Sequence, residues 1–300
     1  MSGKNAHFAA KKPLIRTISI PSPAPPPETP RALCALSIAG LDPSGGAGLS
    51  ADLRGFAAAG VWGCSVCAVL TVQSTAGLRS VQAISPEMVL DQAREVLAHQ
   101  RVRAVKTGAL GSAANVRAVA DLLDALPGLP LVVDPVMIAT RAPGGARLLD
   151  GEALEAMRQL CARALVITPN TDEAEALLEC RIDGLRAQRE AARALVARGT
   201  FAVLIKGGHL PGEQALDVLA LRGGALLQLR AARRQPREFH GGGCFLAACI
   251  AGHLAAHEAP PTAAAIEAAV RFAKRRLTRA VAAATDIGDG LLVLSPSPNP

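Results

Sequence analysis

Aromatic side chains are almost missing from this chain. Its 300 residues hold no Tyr, one Trp and six Phe, so a core has to be assembled from Ala, Leu and Val. Half of the residues are hydrophobic, enough to fill one large domain. The shortage of rings also weighs against nucleic acid, because no basic stripe is interleaved with aromatics on which bases could stack. The net charge of +7 is partly local: Lys4, Lys11, Lys12 and Arg16 lie near the start, and Lys274, Arg275, Arg276 and Arg279 fall in one C-terminal helical stretch. Small anionic ligands or a solvated basic face fit such a distribution. No run of about 18 apolar residues is present, and no charged-then-apolar leader opens the sequence, so neither membrane nor export is expected. The seven cysteines are odd in number. Cys64 and Cys67 form a C-x-x-C without a second pair, which excludes a four-ligand zinc site. Packed, reduced thiols and a cytoplasmic location are expected.

Proline is not scarce. PSPAPPPETP falls within residues 1–30, which read as a disordered, Pro-rich tail, and SPSPNP suggests a short second tail over 291–300. Between them, 31–290 reads as one domain in which strand, loop and helix repeat. Strands are expected over 32–40, 64–73, 103–110, 130–137, 164–170 and 201–208. Helices are expected over 49–60, 86–100, 115–126, 148–164, 171–179 and 187–200. Two further strands or edge segments, 213–221 and 226–234, precede a glycine-rich loop and two closing helices. This alternation implies a mainly parallel sheet covered on both faces, with ligands beyond the carboxyl ends of its strands.

FHGGGC, residues 239–244, leads into an apolar, Pro-free helix. Gly241, Gly242 and Gly243 free the backbone, and a helix starting near Cys244 adds unpaired N–H groups and the positive end of its dipole. That combination suits an anion, most simply a phosphate. A second glycine-rich loop, AGLDPSGGAG over 39–48, has neither a closing Gly-Lys-Ser/Thr nor a G-x-G-x-x-G spacing, so it is neither a Walker loop nor a dinucleotide fingerprint. Gln73, in VQSTAG, pairs a donor with an acceptor, which matches an aminated heteroaromatic ring. Asn170 and Glu173 share the first turn of a helix, where they could serve Mg²⁺ or simply cap the helix. Lys206, in LIKGGH, could neutralise phosphate charge.

Taken in order, AGLDPSGGAGLSADLRGF, VQSTAG, VKTGAL, VVDPVM, TPNTDEAEALL, LIKGGH and HGGGC resemble the ribokinase-like superfamily, in particular the hydroxymethylpyrimidine/phosphomethylpyrimidine kinases of thiamine biosynthesis. The resemblance implies a three-layer α/β/α sandwich with a mainly parallel central sheet, and transfer of the γ-phosphoryl of ATP, with Mg²⁺, to a pyrimidine alcohol and then to its monophosphate. It places the pyrimidine against Gly40, Ala47 and Val136 with Gln73 at its edge and Asp52 in support. Gly241 to Cys244 become the anion hole and Cys244 the base, its pKa lowered by the helix end. Lys206, Asn170, Glu173 and Asp134 attend the nucleotide phosphates, with Asn170 and Glu173 toward Mg²⁺. A pyrimidine alcohol and ATP are the expected partners, and a homodimer is the candidate assembly. Phe239, Gly242 and Phe245 replace three threonines of the family loop, Ala109 replaces a methionine, and ATRAPGG replaces a lysine-serine-glycine. Two alternatives therefore stay open: a pyridoxal-type kinase, and a catalytically weakened pyrimidine-binding homologue.

Overall fold

A computed structural model describes residues 31–137, 152–208, 214–232, 239–257 and 261–295. The N-terminal tail, the ATRAPGG stretch, His209 and residues 296–300 lie outside the described residues. Ala32–Pro300 form one compact unit.

Six strands run parallel: β1 (Cys34–Leu41), β2 (Trp62–Ser74), β4 (Val102–Thr107), β5 (Leu131–Val133), β6 (Val166–Ile167) and β7 (Ala202–Ile205). Antiparallel strands flank them: β3 (Gly77–Ala83) at one edge, and β8 (Gln214–Leu221) with β9 (Leu226–Ala232) at the other. The nine-stranded order is β3-β2-β1-β4-β5-β6-β7-β8-β9. The chain moves outward from β1 to β2, then returns to β1's other side with β4. Such a reversal opens a crevice at the strands' carboxyl ends.

Alternation along the strands explains the three layers. Leu36, Ile38, Val105, Val133, Ile167 and Val203 point to one face. There they meet α2 (Pro86–His99), α3 (Ala113–Asp124), α4 (Ala153–Arg163), α5 (Thr171–Leu178) and α6 (Leu185–Ala197). Ala35, Ala104, Val132, Val166 and Ala202 point to the other, against α1 (Gly48–Ala58), α7 (Gly242–Ala256) and α8 (Ala263–Ala282). This is the expected α/β/α sandwich. Helix α7 is buried on nearly all sides, from Phe245 to Ala255. It can lie so close to α1 because Gly55 and Gly252 carry no side chain. A Cβ on Gly55 would come within 2.6 Å of Ala248, and one on Gly252 within 2.8 Å of Ala59. Trp62, the lone indole, stays outside the core at 68% exposure, and Phe56 and Phe245 are the fully buried rings in a core otherwise built from aliphatic side chains among the described residues. Among the described residues, no helix is long and apolar enough to cross a membrane.

Three elements depart from the expected pattern. β2 continues past Gln73 and turns back as β3, a polar edge strand in which only Leu78 is buried, so its sequence carries little hydrophobic signal. Helix α6 starts at Leu185, two residues early. In the stretch read as a C-terminal tail, β11 (Leu292–Val293) pairs in parallel with β10 (Phe239–His240), just before the GGGC loop.

Candidate active site

The two glycine-rich loops meet at the carboxyl end of the sheet. Gly241 takes a left-handed conformation, φ 80°, and a Cβ there would collide with the Gly46 carbonyl oxygen. One on Gly46 would strike the His240 ring. Asp42 fastens the contact. Its carboxylate accepts from Ser44 N (2.9 Å), Ser44 Oγ (2.9 Å) and Ala47 N (2.7 Å), and its Oδ2 lies 2.7 Å from His240 Nε2. Burial opposes the charge on Asp42, but His240 and Ser44 outweigh it and hold the carboxyl at about 2. Asp42 thus caps the turn of its own loop, and His240 ties that carboxylate to the second loop. Gly241→Ala is expected to cost at least about 1–2 kcal/mol, from the left-handed backbone alone, read as a lower Tm.

A cleft of about 360 Å³ opens along these loops. Gly40 and Ala47 form one wall, Ala109 and Val136 another, and Gln73 stands at the end of β2. Gly241, Gly242, Gly243 and Cys244 line it at the start of α7. The bond from Phe245 N to Gly241 O, at 2.9 Å, closes the first turn, so the N–H groups of Gly242, Gly243 and Cys244 precede the helical ladder. Asp134, Asn170, Glu173 and Lys206 line the same cleft from the ends of β5, β6 and β7. A Cβ on Gly243 would lie 3.0 Å from Lys206 Nζ, so the helix end and the lysine converge on one spot.

Lys206 is no solvated lysine. Its Nζ lies 3.0 Å from Asp134 and 3.8 Å from Glu173. Burial works against its charge, but Asp134 and Glu173 keep it above the usual lysine range. Asp134 is buried too, yet Lys206 and Lys106 hold its carboxyl low, and Thr168 Oγ1 donates to it at 3.0 Å. Asn170 and Glu173 form a capping box: Glu173 N donates to Asn170 Oδ1 and Asn170 N to Glu173 Oε2, both at 2.8 Å. The capping alternative therefore holds. Burial pushes the Glu173 carboxyl up to about 7, with Asp134 adding to the rise and Lys206 opposing it.

One expectation is sharpened and one needs correction. Asp52 does not touch the cleft itself and supports it from behind, as expected. It is fully buried on α1, where Ser37 Oγ donates to it at 2.6 Å and Lys106 Nζ binds both its oxygens at 2.8 and 2.9 Å. The group it presents to the cleft is Lys106. Burial disfavours that ammonium, but Asp52 holds it above the usual range. The thiol of Cys244, by contrast, is not lowered. Burial pushes it up to about 12, and Asp134 and Asp52 reinforce this against Lys106 and the Gly48 backbone. Of the two phenylalanines that replace loop threonines, Phe245 points into the core at 3% exposure, and only Phe239 lines the cleft.

Lys106, His240, Asp217 and Lys274 also line the cleft; the first two stand in the VKTGAL and HGGGC segments without an expected role, and the last two lie outside every motif. A lysine inside the apolar run of β4 was a usable signal, because a strand covered on both faces forces it to find a partner. Lys274 was concealed in a basic run that looks like surface. Among the described residues, no group of three or more His, Cys, Asp and Glu is placed to hold a metal ion.

A phosphomethylpyrimidine kinase family model matches residues 42–294. A hydroxymethylpyrimidine/phosphomethylpyrimidine kinase from Rhizobium meliloti is 42% identical over 85% of this chain and 94% of its own. A bifunctional protein of thiamine biosynthesis from Geobacter sulfurreducens is 38% identical over 85% of this chain and 50% of its own. Among solved structures, an ADP complex of Bacillus subtilis pyridoxal kinase superposes with a TM-score of 0.78 at 28% identity, covering 88% of this chain and 97% of that one.

Proposed function

The chain belongs to the phosphomethylpyrimidine kinase family and is a phosphotransferase of thiamine biosynthesis, and from that premise we propose how its cleft phosphorylates hydroxymethylpyrimidine and then the monophosphate. The ring lies between the Gly40/Ala47 wall and the Ala109/Val136 wall, with Gln73 bonding its amino edge. The exocyclic oxygen points to Cys244. The transferred phosphoryl of ATP sits at the start of α7, where the N–H groups of Gly242, Gly243 and Cys244 meet Lys206. That convergence is the observation that carries the reading. Phosphoryl transfer needs alignment and charge neutralisation more than covalent help, and this corner offers both.

The donor chemistry fits Mg²⁺. Burial pushes the Glu173 carboxyl up to about 7 and Lys206 sits closer to Asp134, so a divalent ion beside Glu173 would supply the counter-charge that keeps it ionised. Glu173 Oε2 and Asn170 Oδ1 make the cap, which leaves the other Glu173 oxygen for the ion or one of its waters, with Asn170 beside it. When bound, Mg²⁺ supplies further neutralisation of the nucleotide phosphates. Lys206 holds the phosphoryl oxygens, Asp134 fixes Lys206, and Cys244 takes the alcohol proton.

A coupled ADP-release assay on the purified protein tests the reading, with turnover expected on hydroxymethylpyrimidine and on its phosphate. Gln73→Ala is expected to raise KM for the pyrimidine about tenfold and to leave KM for ATP unchanged, the cost of one buried hydrogen bond. Turnover of pyridoxal alone would favour a second reading, motivated by the short Ala109 side chain, of a pocket for a bulkier ring. Pyrimidine binding without turnover of either alcohol would favour a non-catalytic binder.

A further inference from the structure

β2 runs past Gln73 to Ser74, and Thr75 with Ala76 makes the two-residue turn into β3. Thr75 belongs to VQSTAG, yet the chemistry described so far gives it no part, and it does not line the cleft. It is buried, and both its hydroxyl and its carbonyl face the C-terminal segment. Thr75 Oγ1 donates to the Asp289 carbonyl at 2.6 Å, and Leu291 N donates to the Thr75 carbonyl at 3.0 Å. Between those two contacts Gly290 has φ 109°, and a Cβ there would collide with the Thr75 carbonyl oxygen. Only glycine lets the segment pass this close.

From Thr75 the segment crosses to the anion corner. Leu292 and Val293 pair with Phe239 and His240, immediately before the left-handed Gly241. A Cβ on Gly46 would lie 3.0 Å from Val293 Cγ1, and one on Gly242 would lie 4.0 Å from Leu294 Cδ1. Leu291 and Leu294 are buried and anchor the segment. Residues 289–294 therefore tie the end of β2 to both glycine-rich loops. Helix α7 itself packs chiefly on α1, α8, β4, β1 and β5, so the segment adds a tie from the helix start to the β2 turn. Gln73, two residues before Thr75, holds the ring in the reading above, and the N–H groups of Gly242, Gly243 and Cys244 hold the phosphoryl. Transfer needs a fixed spacing between the two, and a misplacement of about 1 Å costs on the order of 100-fold in rate. We propose that Thr75 is a positioning residue, which through residues 289–294 sets the alcohol of the bound pyrimidine against the phosphoryl site. This rests on the kinase reading above.

The test measures ADP, phosphorylated pyrimidine and inorganic phosphate from one reaction of the full-length protein. Wild type should form one phosphorylated pyrimidine per ADP, with little inorganic phosphate. Thr75→Val removes the hydroxyl at nearly constant volume and is expected to lower kcat on hydroxymethylpyrimidine about tenfold, the upper range for one hydrogen bond. KM for ATP should stay within about twofold of wild type, because the groups at the start of α7 are untouched. Water then takes the phosphoryl that the misplaced alcohol misses, so inorganic phosphate per ADP rises. Thr75→Ser keeps the hydroxyl and recovers most of kcat. Gly290→Ala, which pushes the segment off Thr75, should cost about 100-fold. Should Gly290→Ala fail to fold, the valine variant alone decides. Wild-type kcat in Thr75→Val overturns the assignment, and so does a loss that Thr75→Ser shares in full. A fall in kcat with an unchanged ratio of phosphate to ADP also overturns it, because a purely structural loss removes active protein and leaves the coupling intact. A wild-type protein that phosphorylates neither hydroxymethylpyrimidine nor its phosphate overturns the kinase reading itself, and the role of Thr75 with it.

Discussion

Cys244→Ala lowers kcat by roughly 10²- to 10⁴-fold, the usual loss when a positioned acid–base group is removed. KM for ATP changes little, because Lys206 and the N–H groups at the start of α7 remain. The pH dependence is the sharper part. A thiol cannot accept the alcohol proton, so only the thiolate form of Cys244 serves as a base. Burial pushes that thiol up to about 12, and two nearby carboxylates reinforce the shift. The active form is therefore scarce at neutral pH and grows about tenfold per pH unit. In wild type, kcat/KM is expected to climb with a slope near +1 from pH 7 to pH 9 and beyond, without a plateau. The climb disappears in Cys244→Ala. A pH-rate profile of both proteins decides it: undiminished turnover by the alanine variant would sink the base, and a wild-type plateau below pH 8 would sink the buried-thiol account.

The same cysteine shows where the sequence is readable and where it is not. The GGGC loop before an apolar helix identifies an anion corner, because glycine conformations and helix ends are local properties. A local reading also lowers the thiol's pKa, since a helix N-terminus favours the thiolate. The structure reverses the sign because Asp52 and Asp134, which are 192 and 110 residues distant in sequence, come to its side. Asn170 and Glu173 were legible as a pair at a helix start, but capping and cation binding use the same oxygens at the same spacing. Only the reciprocal 2.8 Å bonds settle that the cap is made. Strand β3 escaped notice because an edge strand with one buried side chain lacks the alternation that marks a covered strand. Conversely, the layers of the sandwich were plain, because continuous apolar runs alternating with amphipathic helices have few other solutions.

Asp52 supports the cleft only through Lys106, and removing its charge is expected to cost the most stability. Asp52 and Lys106 both have side chains at 0% exposure, and their ion pair is 2.8 Å long. Ser37 Oγ completes the set at 2.6 Å. An Asn at position 52 keeps the shape and the hydrogen bond from Ser37, but it leaves the Lys106 ammonium without its counter-charge. Breaking a buried pair from one side costs about 3–5 kcal/mol, a large fraction of the 5–15 kcal/mol that holds a typical domain. Asp52→Asn is therefore expected to unfold at much lower urea than wild type, and Lys106→Met alone should be damaged comparably by stranding Asp52. The pair replaced on both sides, as Asp52→Leu/Lys106→Met, recovers most of the stability, because a buried ion pair is often no better than apolar residues of similar volume. The recovered protein does not regain activity. Lys106 is the cation that opposes the carboxylates around Cys244, so its loss makes the thiolate still harder to form. Urea midpoints and kcat measured on the three variants separate the two roles. If Asp52→Asn unfolds within about 1 kcal/mol of wild type, the buried pair is not what anchors this side of the cleft. If the double variant is stable and fully active, Lys106 has no part in the chemistry. Stability restored without turnover is the result that ties the ion pair to both.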